Sequence, residues 1–121
     1  MVRVKSAYDP IHESDGERVL VTRYWPRGCS RTQLAVDEWL KSLAPSANLV
    51  DDWNHNMISW DQYRARYTAE MQGRHQVIKR LARKARRANI TLLSFEHKDN
   101  PYSHRCILRE LIEQESACLR D

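Results

Sequence analysis

The chain is poor in glycine and cysteine and has no long apolar stretch. Three glycines in 121 residues are too few for the glycine-rich loops that cradle phosphates. Neither a G-x-G-x-x-G nor a G-x-x-x-x-G-K-[ST] pattern occurs. The three cysteines, Cys29, Cys106 and Cys118, are odd in number and form no C-x-x-C pair. That argues against a disulfide framework or a four-thiolate zinc site and fits a reducing, cytoplasmic setting. No apolar run exceeds three residues, as in Val19-Leu20-Val21, so neither a membrane span nor the apolar core of a signal peptide is expected. Five histidines show no H-E-x-x-H or clustered spacing, and no metal or other cofactor is expected. Glu96, His97 and His104 would be the best nucleus for a metal. Leucine, isoleucine, valine and phenylalanine together supply only 25 residues, so the core is lean.

What the chain does have is arginine. Fifteen of its 20 basic residues are Arg, against 16 acids, for a net charge of +4, which keeps anionic partners open. The length suits one domain over residues 1–121. Val2-Arg3-Val4-Lys5 alternates like a half-buried strand, Arg18–Arg23 is β-branched-rich and ends at Trp25-Pro26-Arg27-Gly28, and Ile90–Phe95 is the most strand-like run. Between the last two, Ser30-x-x-Gln33 and Ser59-x-x-Gln62 are capping boxes. They predict a helix from Arg31 to about Leu43, a short one after Ser46, and a long helical stretch from Trp60 that bends at Gly73. Asn100-Pro101 offers an N-cap and first turn for a last helix. The expected architecture is α/β: a small three-layer domain of about three mainly parallel strands covered by helices, the long helical connection forcing parallel pairing.

In open parallel sheets, ligands settle where loops leave the carboxyl ends of the strands. That rule selects Tyr8 and Asp9 after the first strand, Arg23, Trp25, Arg27 and Gly28 after the second, and Glu96 after the third, with His104 and Arg105 opening the last helix. Forked guanidinium donors beside a glycine suit a phosphate or carboxylate. In this reading Arg23 and Arg27 bind the anion, Gly28 lets the backbone approach, Trp25 walls the pocket, and Glu96 and His104 are the candidate general base and acid. The expected partner is therefore a small anionic ligand. Alternatively, Asp9, Asp15 or Asp37 pairs with the arginines and makes them structural.

The run Tyr8-Asp9-Pro10, Asp15-Gly16-x-Arg18-Val19-Leu20-Val21-x-Arg23-x-Trp25-Pro26-Arg27-Gly28, with Asp37-x-Trp39, Pro45-Ser46, Leu92-Leu93-x-x-Glu96 and Ser103-His104-Arg105, resembles the domain-of-unknown-function family 488, in its short YeaO-like branch. The resemblance spans nearly the whole chain. It implies a compact cytosolic α/β protein whose family has no established activity. It also marks three departures. Thr22 stands where many relatives resemble Leu-Val-Asp-Arg, and Ser94 and Ser103 stand where relatives carry cysteine. A mechanism needing thiolates at those two positions is in doubt here.

Two further features compete. Cys29 precedes a predicted helix, but the phosphatase spacing of Cys, five residues and Arg fails at Ala35. The segment Lys79-Arg80-x-x-Arg83-Lys84-x-Arg86-Arg87 packs six cations into nine residues, which suits a nucleic-acid backbone or an acidic partner. The plainer reading is a solvated helix face balanced by Glu110, Glu113 and Glu115.

Overall fold

Four short strands carry the architecture. A computed structural model describes residues 1–97 and 99–119. The strands are β1 (Val2–Ser6), β2 (Glu17–Leu20), β3 (Glu38–Trp39) and β4 (Ile90–Ser94), lying side by side in the order β1-β4-β2-β3 with every pair parallel. The helices are α1 (Arg31–Leu34), α2 (Ala47–Asn54), α3 (Trp60–Met71), α4 (His75–Arg87) and α5 (His104–Cys118). The α/β class and parallel pairing are as expected from the sequence, with four strands instead of three.

β4 is buried at every residue, which is why its sequence reads as an uninterrupted strand. Its alternating side chains part the core in two. Ile90 and Leu92, with Val2, Val19 and Val21, meet Leu49 of α2, Tyr63 and Tyr67 of α3, Ile78 and Leu81 of α4, and Ile107, Leu108 and Ile112 of α5. Leu93 and Leu20 point into a smaller cluster with Ala7 and Leu34, edged by Trp25 and Trp39. The third layer is thus thin, and α2 to α5 all serve the larger cluster. The polar bulk of the thin side is an ion cluster in which the buried Asp15 carboxylate receives Lys5 at 3.0 Å and Arg18 at 2.5 Å.

The capping signals form as read. Ser30 and Gln33, and Ser59 and Gln62, each exchange side-chain and backbone bonds, and Ser46 caps α2. Gly73 sits in the 3₁₀ turn Gln72–Arg74 that separates α3 from α4. The predicted helix over 31–43 is corrected. It lasts one turn, because Ala35 takes a left-handed φ of 47° and the Asp37 carboxylate accepts the Arg18 N–H at 2.8 Å. The chain is thereby drawn onto β2 as the edge strand β3, followed by the 3₁₀ turn Lys41–Leu43. The last helix also starts later than predicted. Ser103 is its N-cap, while Asn100 accepts the Tyr102 N–H in a local turn.

Gly16 is the backbone position with least room. At φ 62°, a Cβ built there would lie 2.0 Å from the Asn89 carbonyl oxygen, which itself accepts the Glu17 N–H where β2 begins. Gly16→Ala is expected to cost about 3 kcal/mol or more, the scale of a forced backbone strain. Gly73→Ala, with open space around it, is expected to be neutral or mildly stabilising. Urea midpoints of the two variants check both signs.

Candidate functional site

The carboxyl ends of β2 and β4 open onto a hollow of about 380 Å³. Four segments bring its polar groups together: Thr22 and Arg23 leaving β2, Asp51 and Asn54 of α2, Glu96 leaving β4, and His104 in the first turn of α5. Trp53 of α2 and Tyr63 of α3 wall it on one side, Tyr24 and Phe95 on the other.

His104 is fixed by one bond. Its Nε2 lies 2.7 Å from the Val21 carbonyl oxygen; a carbonyl only accepts, so Nε2 carries the proton. Nδ1 then holds a lone pair with no partner among the described residues, on a ring that lines the hollow. Burial pushes the imidazole pKa below its ordinary value and the Arg105 charge adds to this, whereas the Glu96 charge and the Val21 carbonyl oppose it without prevailing. At neutral pH the ring is therefore neutral. Burial alone would raise the Glu96 carboxyl, but protonated His104, the Ser94 hydroxyl, its own backbone N–H and Arg105 bring it below the usual range. The Ser94 hydroxyl, the backbone N–H and Arg105 act on Glu96 whatever the charge on the imidazole. Ser94 Oγ donates to Glu96 Oε2 at 2.5 Å. Burial, followed by the charges of Glu96 and Glu70, raises the Tyr63 phenol above its ordinary range, so it stays protonated.

The predicted residues separate into three groups. Arg23, Glu96 and His104 share this hollow. Tyr8, Trp25 and Arg27 line a second, of about 420 Å³, which also takes in Tyr24 and Phe95. Among the described residues neither Arg23 nor Arg27 pairs with a carboxylate. Arg23 Nη2 reaches the Pro45 carbonyl at 3.2 Å, and Arg27 has no hydrogen bond or ion pair among the described residues. The carboxylates that could have held them are engaged elsewhere: Asp15 by Lys5 and Arg18, Asp37 by the Arg18 backbone, and Asp9 by the Ser6 N–H at 3.0 Å.

Arg105 does not reach a hollow. It is fully buried, and its guanidinium donates to the carbonyls of Lys5, Glu96 and His97 and to Ser94 Oγ, all between 2.6 and 3.0 Å. Gly28 owes its identity to a φ of 76°, and a Cβ there would meet nothing within 4 Å. The two serines noted as departures meet, with Ser94 Oγ and Ser103 Oγ 3.3 Å apart. Thr22, the third departure, turns its hydroxyl to the Tyr24 carbonyl. Among the described residues no group of three His, Cys, Asp or Glu side chains is placed to hold a metal. The sequence reading missed Trp53, Tyr63 and Phe95 as walls. Trp60, Tyr63 and Tyr67 were legible only as a helical stripe, and nothing local says which sheet edge that stripe meets.

The basic segment falls on α4, whose Ile78, Leu81, Ala82 and Ala85 are buried. Arg80 pairs with Glu38 and Lys84 with Glu17, both at 2.9 Å, and Arg86 donates to the Leu119 carbonyl. Lys79, Arg83 and Arg87 have no partner among the described residues. Of the acids expected to balance them, Glu110 lies against Arg64 and Glu113 against Arg109, while Glu115, 3.3 Å from His75, shares a hollow with Lys79, Arg83 and Arg87.

A histidine whose folded pKa is depressed takes up its proton more readily when unfolded, so stability falls as pH drops through the ordinary histidine range near 6.5. The lowered carboxyls of Asp15 and Glu96 extend the loss below about pH 4 by the same sign. The melting temperature is expected to fall by several degrees between pH 7 and 5.5, and His104→Gln to flatten that fall. The His104 ring resonances should stay unprotonated in the native protein down to pH 6, and a native titration at or above 6.5 contradicts the buried neutral form.

Among the described residues no helix is long and apolar enough to cross a membrane. The chain is 38% identical over 109 residues to the uncharacterised protein YeaO of Escherichia coli (strain K12), covering 90% of this chain and 94% of that one. The uncharacterised proteins Mb3100c of Mycobacterium bovis and Rv3073c of Mycobacterium tuberculosis are each 39% identical over 70 residues, 58% of this chain and 59% of theirs. No solved structure matches the chain. Residues 1–120 match the family described as the inactive DUF488-N3 subclade, and the chain belongs to it.

Proposed function

We propose that this protein binds a small anionic ligand, phosphate- or carboxylate-bearing, in the hollow at the carboxyl ends of β2 and β4, without turning it over. The observation that carries the reading is the isolation of Arg23. It is an exposed guanidinium lining an aromatic-walled hollow, and among the described residues its one bond is to the Pro45 carbonyl. Freed from carboxylates, it keeps forked donors for an anion, and the volume falls within the range of small-molecule sites. Two facts support binding without catalysis. The family description is that of an inactive subclade. The two positions where relatives resemble cysteine are serines bonded within the fold, Ser94 to Glu96 and Arg105, Ser103 as the cap of α5.

A thermal-shift panel of phosphorylated metabolites, nucleotides and carboxylates tests this. At least one class is expected to raise the melting temperature by about 3 °C or more at saturating ligand, and Arg23→Ala to abolish the shift. A panel that leaves the wild type unmoved, or an Arg23→Ala variant that responds like the wild type, removes the reading.

A second reading rests on a separate observation, Lys79, Arg83 and Arg87 on α4, without partners among the described residues, beside an open hollow that also takes in Lys84 and Arg86 and, from α5, Glu115 and Cys118. Contact with a nucleic-acid backbone there would give an affinity that falls steeply with salt. Changing all three residues to Gln is then expected to weaken RNA or DNA binding at least tenfold at low salt. Unchanged binding across a salt series excludes that surface.

A further inference from the structure

The chain leaves four aromatic side chains exposed, and all gather at the strand carboxyl ends. Tyr24 is 70% exposed, Tyr8 56%, Tyr102 52% and Phe95 40%. Tyr102 lies against Trp53 and Trp60. Tyr24 and Phe95 line both hollows and so form the partition between them. Each hollow then repeats one composition, an arginine at an aromatic wall: Arg23 with Trp53 and Tyr63 on one side, Arg27 with Tyr8 and Trp25 on the other. Exposed rings beside free guanidinium groups suit ligands that alternate planar rings with phosphates, because every base offers a π-face and every phosphate a forked partner.

The floor of the first hollow narrows the choice. Glu96 is a carboxylate with Oε2 taken by Ser94, and His104 presents an unpaired Nδ1 because Nε2 is held by Val21. These two and the Asp51 carboxylate of α2 are acceptors, while the Asn54 amide and the Tyr63 phenol, which share the hollow, can also donate. An anion does not belong against the acceptors, so the charged part of the ligand stays at Arg23 while the part that enters carries N–H donors. A guanine-type edge, with adjacent ring N–H and amino donors, has that pattern; a uracil edge sets one N–H between two carbonyls.

Resting on the reading that Arg23 anchors an anion, we infer that the ligand is a dinucleotide unit. Its amino-bearing base enters the first hollow toward Glu96 and His104, its phosphates lie on Arg23 and Arg27, and its second base occupies the hollow walled by Tyr8 and Trp25. Free dinucleotides and the end of a single strand share this chemistry.

Titration calorimetry with pGpG, GMP, UMP and inorganic phosphate tests it, and Trp25 and Trp53 in the two walls give an independent fluorescence readout. The expected order is pGpG tighter than GMP by about tenfold or more, the scale of one added base stack, with GMP tighter than UMP. Arg27→Ala, at an exposed position, should bring pGpG down toward GMP, whereas Tyr24→Ala, which removes a wall common to both hollows, should weaken pGpG and GMP alike. A four-residue guanylate strand that binds more tightly than pGpG assigns the source to strand ends, and one that binds no better assigns it to the free dinucleotide; either upholds the inference. If pGpG gains nothing over GMP, or UMP equals GMP, the inference is overturned while Arg23-dependent anion binding stands. If GMP and pGpG are silent but another anion binds through Arg23, the outcome is the same. Silence from every anion overturns both.

Discussion

The Arg105 guanidinium holds the strand carboxyl end of this molecule together. It is fully buried and has no carboxylate within ion-pair distance among the described residues. Its donors instead gather the Lys5 carbonyl from β1, Ser94 from β4, and the Glu96 and His97 carbonyls from the loop beyond. Burying a cation costs several kcal/mol unless dipoles replace its hydration. Four convergent oxygens do so here, and in return they are pinned to the first turn of α5. Because Ser103 and His104 immediately precede Arg105 in sequence, whatever fixes the guanidinium also fixes the imidazole and the helix cap. The same charge adds in a minor way to an ionised Glu96 and a neutral His104, for which burial of the imidazole is the larger cause.

Cations elsewhere divide by the acceptors within reach. Lys5 and Arg18 meet at Asp15 on the thin side of the sheet, and Arg80 and Lys84 reach the glutamates of β3 and β2. These engagements leave Arg23, Arg27 and the outer residues of α4 without carboxylates. The net charge of the chain therefore says little about partners, since most of the arginine is structural, and what remains lies in two separate places.

The sequence was most legible where a signal is local. β4 reads as a buried run, and Ser30, Ser46 and Ser59 mark their helix starts because capping bonds close within three residues. Arg23, Glu96 and His104 were found by the rule for strand ends, which needs only the order of elements. Failures came where a distant partner decided the outcome. Leu34, Val36, Trp39, Leu40 and Leu43 fit a helix loosely, yet Arg18 draws Asp37 into a strand and the Thr22 carbonyl takes the Trp39 indole N–H at 2.7 Å. Arg105 was read as a ligand group because nothing beside it in sequence shows that carbonyls from two strands and a loop converge on it. The aromatic walls from α2 and α3 were missed for the same reason, being brought to the sheet edge only by tertiary packing.

Ser94 and Ser103 stand 3.3 Å apart beside Glu96. A thiol pair at that separation would be open to oxidation, to metal capture and to alkylation, each depending on thiolate character. Hydroxyls do none of these things under physiological conditions. With serine at both, peroxide or a shift in the cellular thiol pool leaves these two positions, and the Arg105 cradle they belong to, chemically unchanged.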